Sequence, residues 1–307
     1  MTPRSAATAI AIVLSIAIAG CGLGPGPGTS DVTLTVTRDF GSRAVGQVTQ
    51  RHVPGSETVM RMLERTFRVG TRYGGGFVES IAGLSGTASR VDWFYYVNGI
   101  EAGRGAAATA VHKGDRIWWD LHDWSTAQDT PAVVGSFPEP FIHGTDGRRL
   151  PTALECAADV ERACTLVTDE LGRLHVPVAS QLLGTGSGTD SLALEVGTWK
   201  DLRGQIVSSL LDHGPGASGV YARFAGAGSK LELLDPRGRV VRTLGGGAGL
   251  IAATAQGSFE PTWLVTGTDP GGVAAAAAAL SPGRLRDHFA LALQGGAATP
   301  LPLEPGA

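Results

Sequence analysis

The segment Asp92-Trp93-Phe94-Tyr95-Tyr96-Val97-Asn98-Gly99-Ile100-Glu101-Ala102 decides the fold of the first half of the chain. Asn-Gly between two apolar runs is a hairpin signal, because a type I′ turn needs positive φ at both central residues. Asn98 is the only asparagine in the sequence. Downstream, GDRIWWDLHDW (114–124) reads as a turn and another aromatic strand. Upstream, Val32-Thr33-Leu34-Thr35-Val36 alternates strictly, as a half-buried strand does. Ser56 is placed to open a helix whose one face carries Val59, Met60, Leu63 and Phe67. Between them lies TRYGGGFV (71–78), where three glycines admit positive φ or close backbone approach. Strand, helix, then several strands predicts a small sheet packed on one helix over residues 32–125.

Aromatic residues concentrate here. Nine of the chain's 19 Phe, Trp and Tyr fall between Tyr73 and Trp124. Neighbours in a strand face opposite sides, so Trp93-Phe94-Tyr95-Tyr96 and Trp118-Trp119 put rings on both faces of the sheet. One face packs on the helix; the other meets a second domain or holds a ligand. On the ligand reading, Tyr73, Gly74, Gly75 and Gly76 border the site and Tyr96 and Trp118 stack on the bound molecule. The strand register is open between Tyr95 and Tyr96, and Tyr96 is placed outward. His122, between Asp120 and Asp123, is a candidate ligand for a corrinoid cobalt, against the plainer role of a strand-end His bonded to Asp123.

Tyr96-Val97-Asn98-Gly99, Gly114-Asp115 and Ile117-Trp118, in this order of strand, helix and hairpin, resemble the transcobalamin C-terminal-like domain of bacterial surface proteins. The resemblance covers residues 32–125 and implies a β-grasp-like fold. In transcobalamin and intrinsic factor the related domain covers one side of bound cobalamin. The ligand class so implied is a cobalamin-like corrinoid or another flat, largely apolar molecule.

Residues 126–147, with Pro131, Pro138 and Pro140, read as a connector, and 148–294 as a mixed α/β domain. Val160, Cys164, Val167 and Leu171 mark one helical face. A helix with Leu202, Ile206 and Leu210 is expected after the strand 192–196. Asp235-Pro236-Arg237-Gly238 is a hairpin turn, and 272–280 an alanine helix. Residues 295–307 read as a disordered tail. The whole is an α+β protein.

Arg4 followed by the apolar run Ala6–Ala19 has the size of a signal-peptide core, shorter than the ~20 residues a spanning helix needs. It ends Ile18-Ala19-Gly20-Cys21, which resembles a bacterial lipobox. Residues 1–20 are then a lipoprotein signal peptide, Cys21 is the lipidated N-terminus, and 21–31 a flexible tether. The partner so implied is the cytoplasmic membrane, on its extracytoplasmic face. In an exported chain Cys156 and Cys164 default to a disulfide, with Asp159 expected to cap the helix carrying Cys164. Lys+Arg 25 against Asp+Glu 28 argues against nucleic-acid binding. Gly247-Ala248-Gly249 with Ala252 fits G-x-G-x-x-A, a chance match in a chain with 45 glycines. No H-E-x-x-H, G-x-S-x-G, P-loop or S-x-x-K is present. The reading is a membrane-anchored ligand-binding protein serving an importer, the alternative a non-enzymatic envelope scaffold. Cys21→Ser is expected to release the protein from the membrane fraction; a variant that sediments like wild type contradicts the anchor.

Overall fold

The computed structural model describes residues 31–86 and 90–304; Cys21 and the segment 1–30 lie outside them. The first half runs β1 (Val32–Arg38), β2 (Arg43–Gln50), α1 (Val59–Thr66), β3 (Val69–Arg72), β4 (Phe77–Ile81), β5 (Leu84–Ser85), β6 (Val91–Val97), β7 (Ile100–Glu101) and β8 (Arg116–Asp123). A five-stranded sheet has the order β2-β1-β8-β6-β7, with β1 and β8 parallel and the other pairs antiparallel. This is the β-grasp-like arrangement expected. Val32, Leu34 and Val36 pack on Val59, Met62 and Leu63 of α1, while Thr35 and Thr37 turn to the opposite face. The helix begins two residues later than expected: Thr58, not Ser56, caps it by accepting from Arg61 N. The Asn98-Gly99 turn has φ 55° and 79°, as type I′ geometry requires. Asn98 also joins elements: its Nδ2 donates to Asp115 Oδ1 and to Gly144 O, and its Oδ1 accepts from Arg116 N.

The second half runs β9 (Thr152–Cys156), α2 (Glu161–Arg173), β10 (Val178–Leu182), β11 (Leu192–Thr198), α3 (Trp199–Leu202), α4 (Pro215–Ser218), β12 (Ala222–Ala225), β13 (Lys230–Leu234), β14 (Val240–Leu244), β15 (Gly249–Thr254), β16 (Thr262–Gly267), α5 (Pro270–Ala279), α6 (Pro282–Leu285), β17 (Ala290–Gln294) and β18 (Ala297–Leu301). Seven strands form one sheet, β10-β9-β11-β16-β15-β17-β18, parallel from β10 to β16 and antiparallel beyond. Helices α2 and α5 cover one face. The meander β12-β13-β14 and the first domain's aromatic rings cover the other.

Three expectations need correction. The helix beyond β11 stops at Leu202 and resumes only as a 3-10 turn over Ser208–His213, leaving Ile206 exposed. The 295–307 segment is no loose tail over its described part: β18 pairs with β17, Leu301 and Leu303 are buried, and Leu303 N donates to Leu234 O. The connector 126–147 is no solvent linker. Val133, Val134, Phe137 and Phe141 are fully buried, and Phe137 and Phe141 pack on Trp263.

Cys156 and Cys164 form the expected disulfide, with Cα atoms 6.2 Å apart. Cys156 ends β9 and Cys164 lies one turn into α2. Asp159 is not the cap; Val160 occupies that position without a side-chain hydrogen bond. Closing so short a loop stabilises the fold by about 2–3 kcal/mol. A Cys156→Ser/Cys164→Ser variant is expected to lose about that much in denaturant unfolding; an unchanged midpoint contradicts it.

Candidate functional site

The register of the aromatic hairpin determines which rings go where. Tyr95 pairs with Trp119 and Tyr96 with Trp118. Odd-numbered Trp93 and Tyr95, with Trp119 and Leu121, face α1. Phe94, Tyr96, Trp118 and His122 face the second domain.

The aromatic part of that second face is closed. Phe289, just before β17, sits against Phe40, Tyr96, Trp118 and His122 at ring-centroid distances of 5.2, 5.7, 5.2 and 5.4 Å. Tyr96 is 0%, Trp118 3% and His122 3% exposed. His122 Nδ1 bonds Asp120 Oδ1 at 2.9 Å rather than Asp123, and its ring stacks between Phe40 and Phe94. The geometry supports the packing role for these three residues. The other expected residues lie elsewhere: Tyr73, Gly74 and Gly75 form the 3-10 turn between β3 and β4, with Tyr73 87% exposed. A Cβ on Gly74 or Gly75 meets nothing within 4 Å, so their freedom serves the positive φ of the turn, not a close approach. The seven residues therefore do not share one surface.

One of them does border an aromatic pocket, on the opposite face. Gly76 and Phe77 of the β3–β4 hairpin, Trp93 and Tyr95 of β6, Trp119 of β8 and Met60 of α1 enclose about 260 Å³. Tyr95 and Trp119 are stacked at 4.7 Å. The Tyr95 hydroxyl is held in place by Thr109 Oγ1 and Arg104 O. Phe77 keeps 38% of its surface exposed. Trp119 Nε1 is buried in the wall without a hydrogen-bond partner, an incompletely satisfied spot of the kind that gathers at functional places. Glu101 also borders the pocket, but as the cross-strand partner of Tyr96 its carboxyl turns to the opposite face, where its charge acts on the Tyr96 hydroxyl. One of its oxygens accepts from Thr130 N. Burial raises its pKa to about 7, against the Thr130 hydrogen bond, with Asp129 adding to the rise. The ladder turns Tyr96 and Trp118 away from α1, as the sequence reading placed them; that reading missed Trp93, Tyr95 and Phe77 because it assigned the helix-facing rings to packing alone.

The described residues contain no cluster of three or more His, Cys, Asp or Glu suited to a metal ion, and no helix long and apolar enough to cross a membrane.

Residues 56–123 match the model of a family described as a domain of unknown function (DUF4430). That segment carries the helix, the glycine hairpin and the aromatic strands. Among solved structures, the chain is similar to a candidate metal-binding protein from Ruminococcus gnavus ATCC 29149, at 16% identity and a TM-score of 0.25, over 31% of this chain and 97% of that one. It is also similar to haptocorrin in complex with Cbi, at 17% identity and a TM-score of 0.24, over 30% of this chain and 25% of that one. The match thus spans a quarter of the haptocorrin chain. No curated protein matches.

Glu101, on the Tyr96 face, gives the fold a pH signature. Its folded pKa lies above its unfolded value, so the folded state binds the extra proton between them. Stability is then lost as pH rises from about 4.5 to about 7. Glu101→Gln is expected to flatten the pH–stability curve in that window, by up to about 3 kcal/mol at pH 8. An unchanged slope contradicts the assignment.

Proposed function

We propose that the protein is an extracytoplasmic, lipid-anchored binding protein that captures a small flat aromatic molecule, for delivery to a membrane importer. The observation that carries this reading is the pocket walled by Phe77, Trp93, Tyr95 and Trp119. Aromatic walls favour a planar guest through stacking and edge contacts. A volume of 260 Å³ lies just below the usual range for ligand pockets, roughly 300–1,000 Å³. It suits one or two fused rings and is too small for a corrinoid macrocycle. The Cys156–Cys164 disulfide supports an oxidising, exported setting, and the lipobox-like Ile18–Cys21 supports the anchor.

Calorimetric titration with indole, and with cyclohexanol as the non-planar control, tests the reading. Indole is expected to bind saturably and more tightly than cyclohexanol. Phe77→Ala is expected to weaken indole roughly three- to tenfold. Absence of saturable binding, or binding indifferent to the substitution, overturns the reading in favour of an envelope scaffold.

A further inference from the structure

On the other face of the same sheet, the packing of the two domains leaves a cleft of about 400 Å³. Its first-domain wall is Thr33, Thr35 and Thr49 with Arg116; its second-domain wall is Arg286 and Asp287. We propose that this cleft is a second binding site, for a small anion bearing carboxylate or phosphate oxygens.

Arg116 begins β8 and is largely withdrawn from water. Burial lowers its pKa, with the Glu139 charge opposing that shift. Its Nη1 donates to Ser136 O at 3.3 Å and Phe137 O at 2.8 Å, which fixes the guanidinium plane. Among the described residues, neither Arg116 nor Arg286 forms an ion pair, and Nε and Nη2 of Arg116 have no protein acceptor. Those free donors are not sealed in the protein; they open onto the cleft, where a ligand's oxygens can take the place of water. Arginine's planar fork matches the paired oxygens of a carboxylate or phosphate. Asp287 offsets one of the two positive charges. Its carboxyl is held above the usual range by burial, against Arg286 and Arg116. The threonine hydroxyls add neutral donors, because the alternation of β1 that buries Val32, Leu34 and Val36 on α1 turns Thr33 and Thr35 toward the cleft. The site exists only while the domains stay packed, so an occupant would tie them together.

The test is titration of the full chain with sodium phosphate and with sodium succinate, each against sodium chloride at equal ionic strength, with Tm recorded alongside. Saturable binding and a Tm that rises with ligand are expected for at least one of the two; which one separates a phosphate-bearing from a carboxylate-bearing ligand. Arg286→Gln, which removes no protein hydrogen bond, is expected to weaken binding roughly tenfold with an unchanged near-UV spectrum. Arg116→Gln is expected to weaken it at least as much. No binding beyond the chloride control, or affinity unchanged in both variants, overturns the proposal.

Discussion

The packing of Phe289 into the aromatic face of the first domain is the contact on which the rest of the molecule depends. Its ring touches Phe40, Tyr96, Trp118 and His122 together. Those four do not arrive there independently. Asp120, fully buried on β8, accepts from Thr37 Oγ1 at 2.5 Å, from Phe40 N at 3.0 Å and from Gly41 N at 2.9 Å, and it holds His122 Nδ1. One carboxylate therefore satisfies the β1–β2 turn and sets two of the rings that receive Phe289. Such a network is stable only when fully answered, and every partner of this one is within the first domain. The socket is built locally and then filled from the second domain.

Filling it has two consequences for function. The aromatic face that would suit a large flat ligand is used for cohesion between domains, so the free aromatic surface is the one around Tyr95 and Phe77. The same packing creates the polar cleft beside Trp118, where Arg116 is desolvated by its position. The connector contributes to both. Ser136 and Phe137 offer carbonyls to Arg116, and Val133 N donates to Gly99 O, clamping the Asn-Gly turn.

Much of this was legible in residues. Asn98-Gly99 announced its turn because only a few residues accept positive φ twice in succession. The alternation in 32–36 announced both its faces, and Cys156 with Cys164 announced their bridge. Alternation offers no polar contrast where Tyr95-Tyr96 and Trp118-Trp119 place aromatics on both faces, yet Tyr96 does turn away from α1 as read. What stayed hidden was what covers that face, since nothing near Tyr96 or Trp118 in the sequence announces Phe289. The strand 297–301 was hidden for a different reason: its prolines read as loop, and its order comes from pairing with β17. The burial of the connector has no local signal either, since it depends on Trp263 meeting Phe137 and Phe141 from far along the chain.

A crystal structure of the full chain grown with indole tests the central claim most directly, that ligand capture belongs to the face of Tyr95 and not to that of Tyr96. The account predicts indole density between Phe77, Trp93 and Tyr95, with Phe289 still seated against Trp118. Density against Tyr96 and Trp118, with Phe289 displaced, would contradict it.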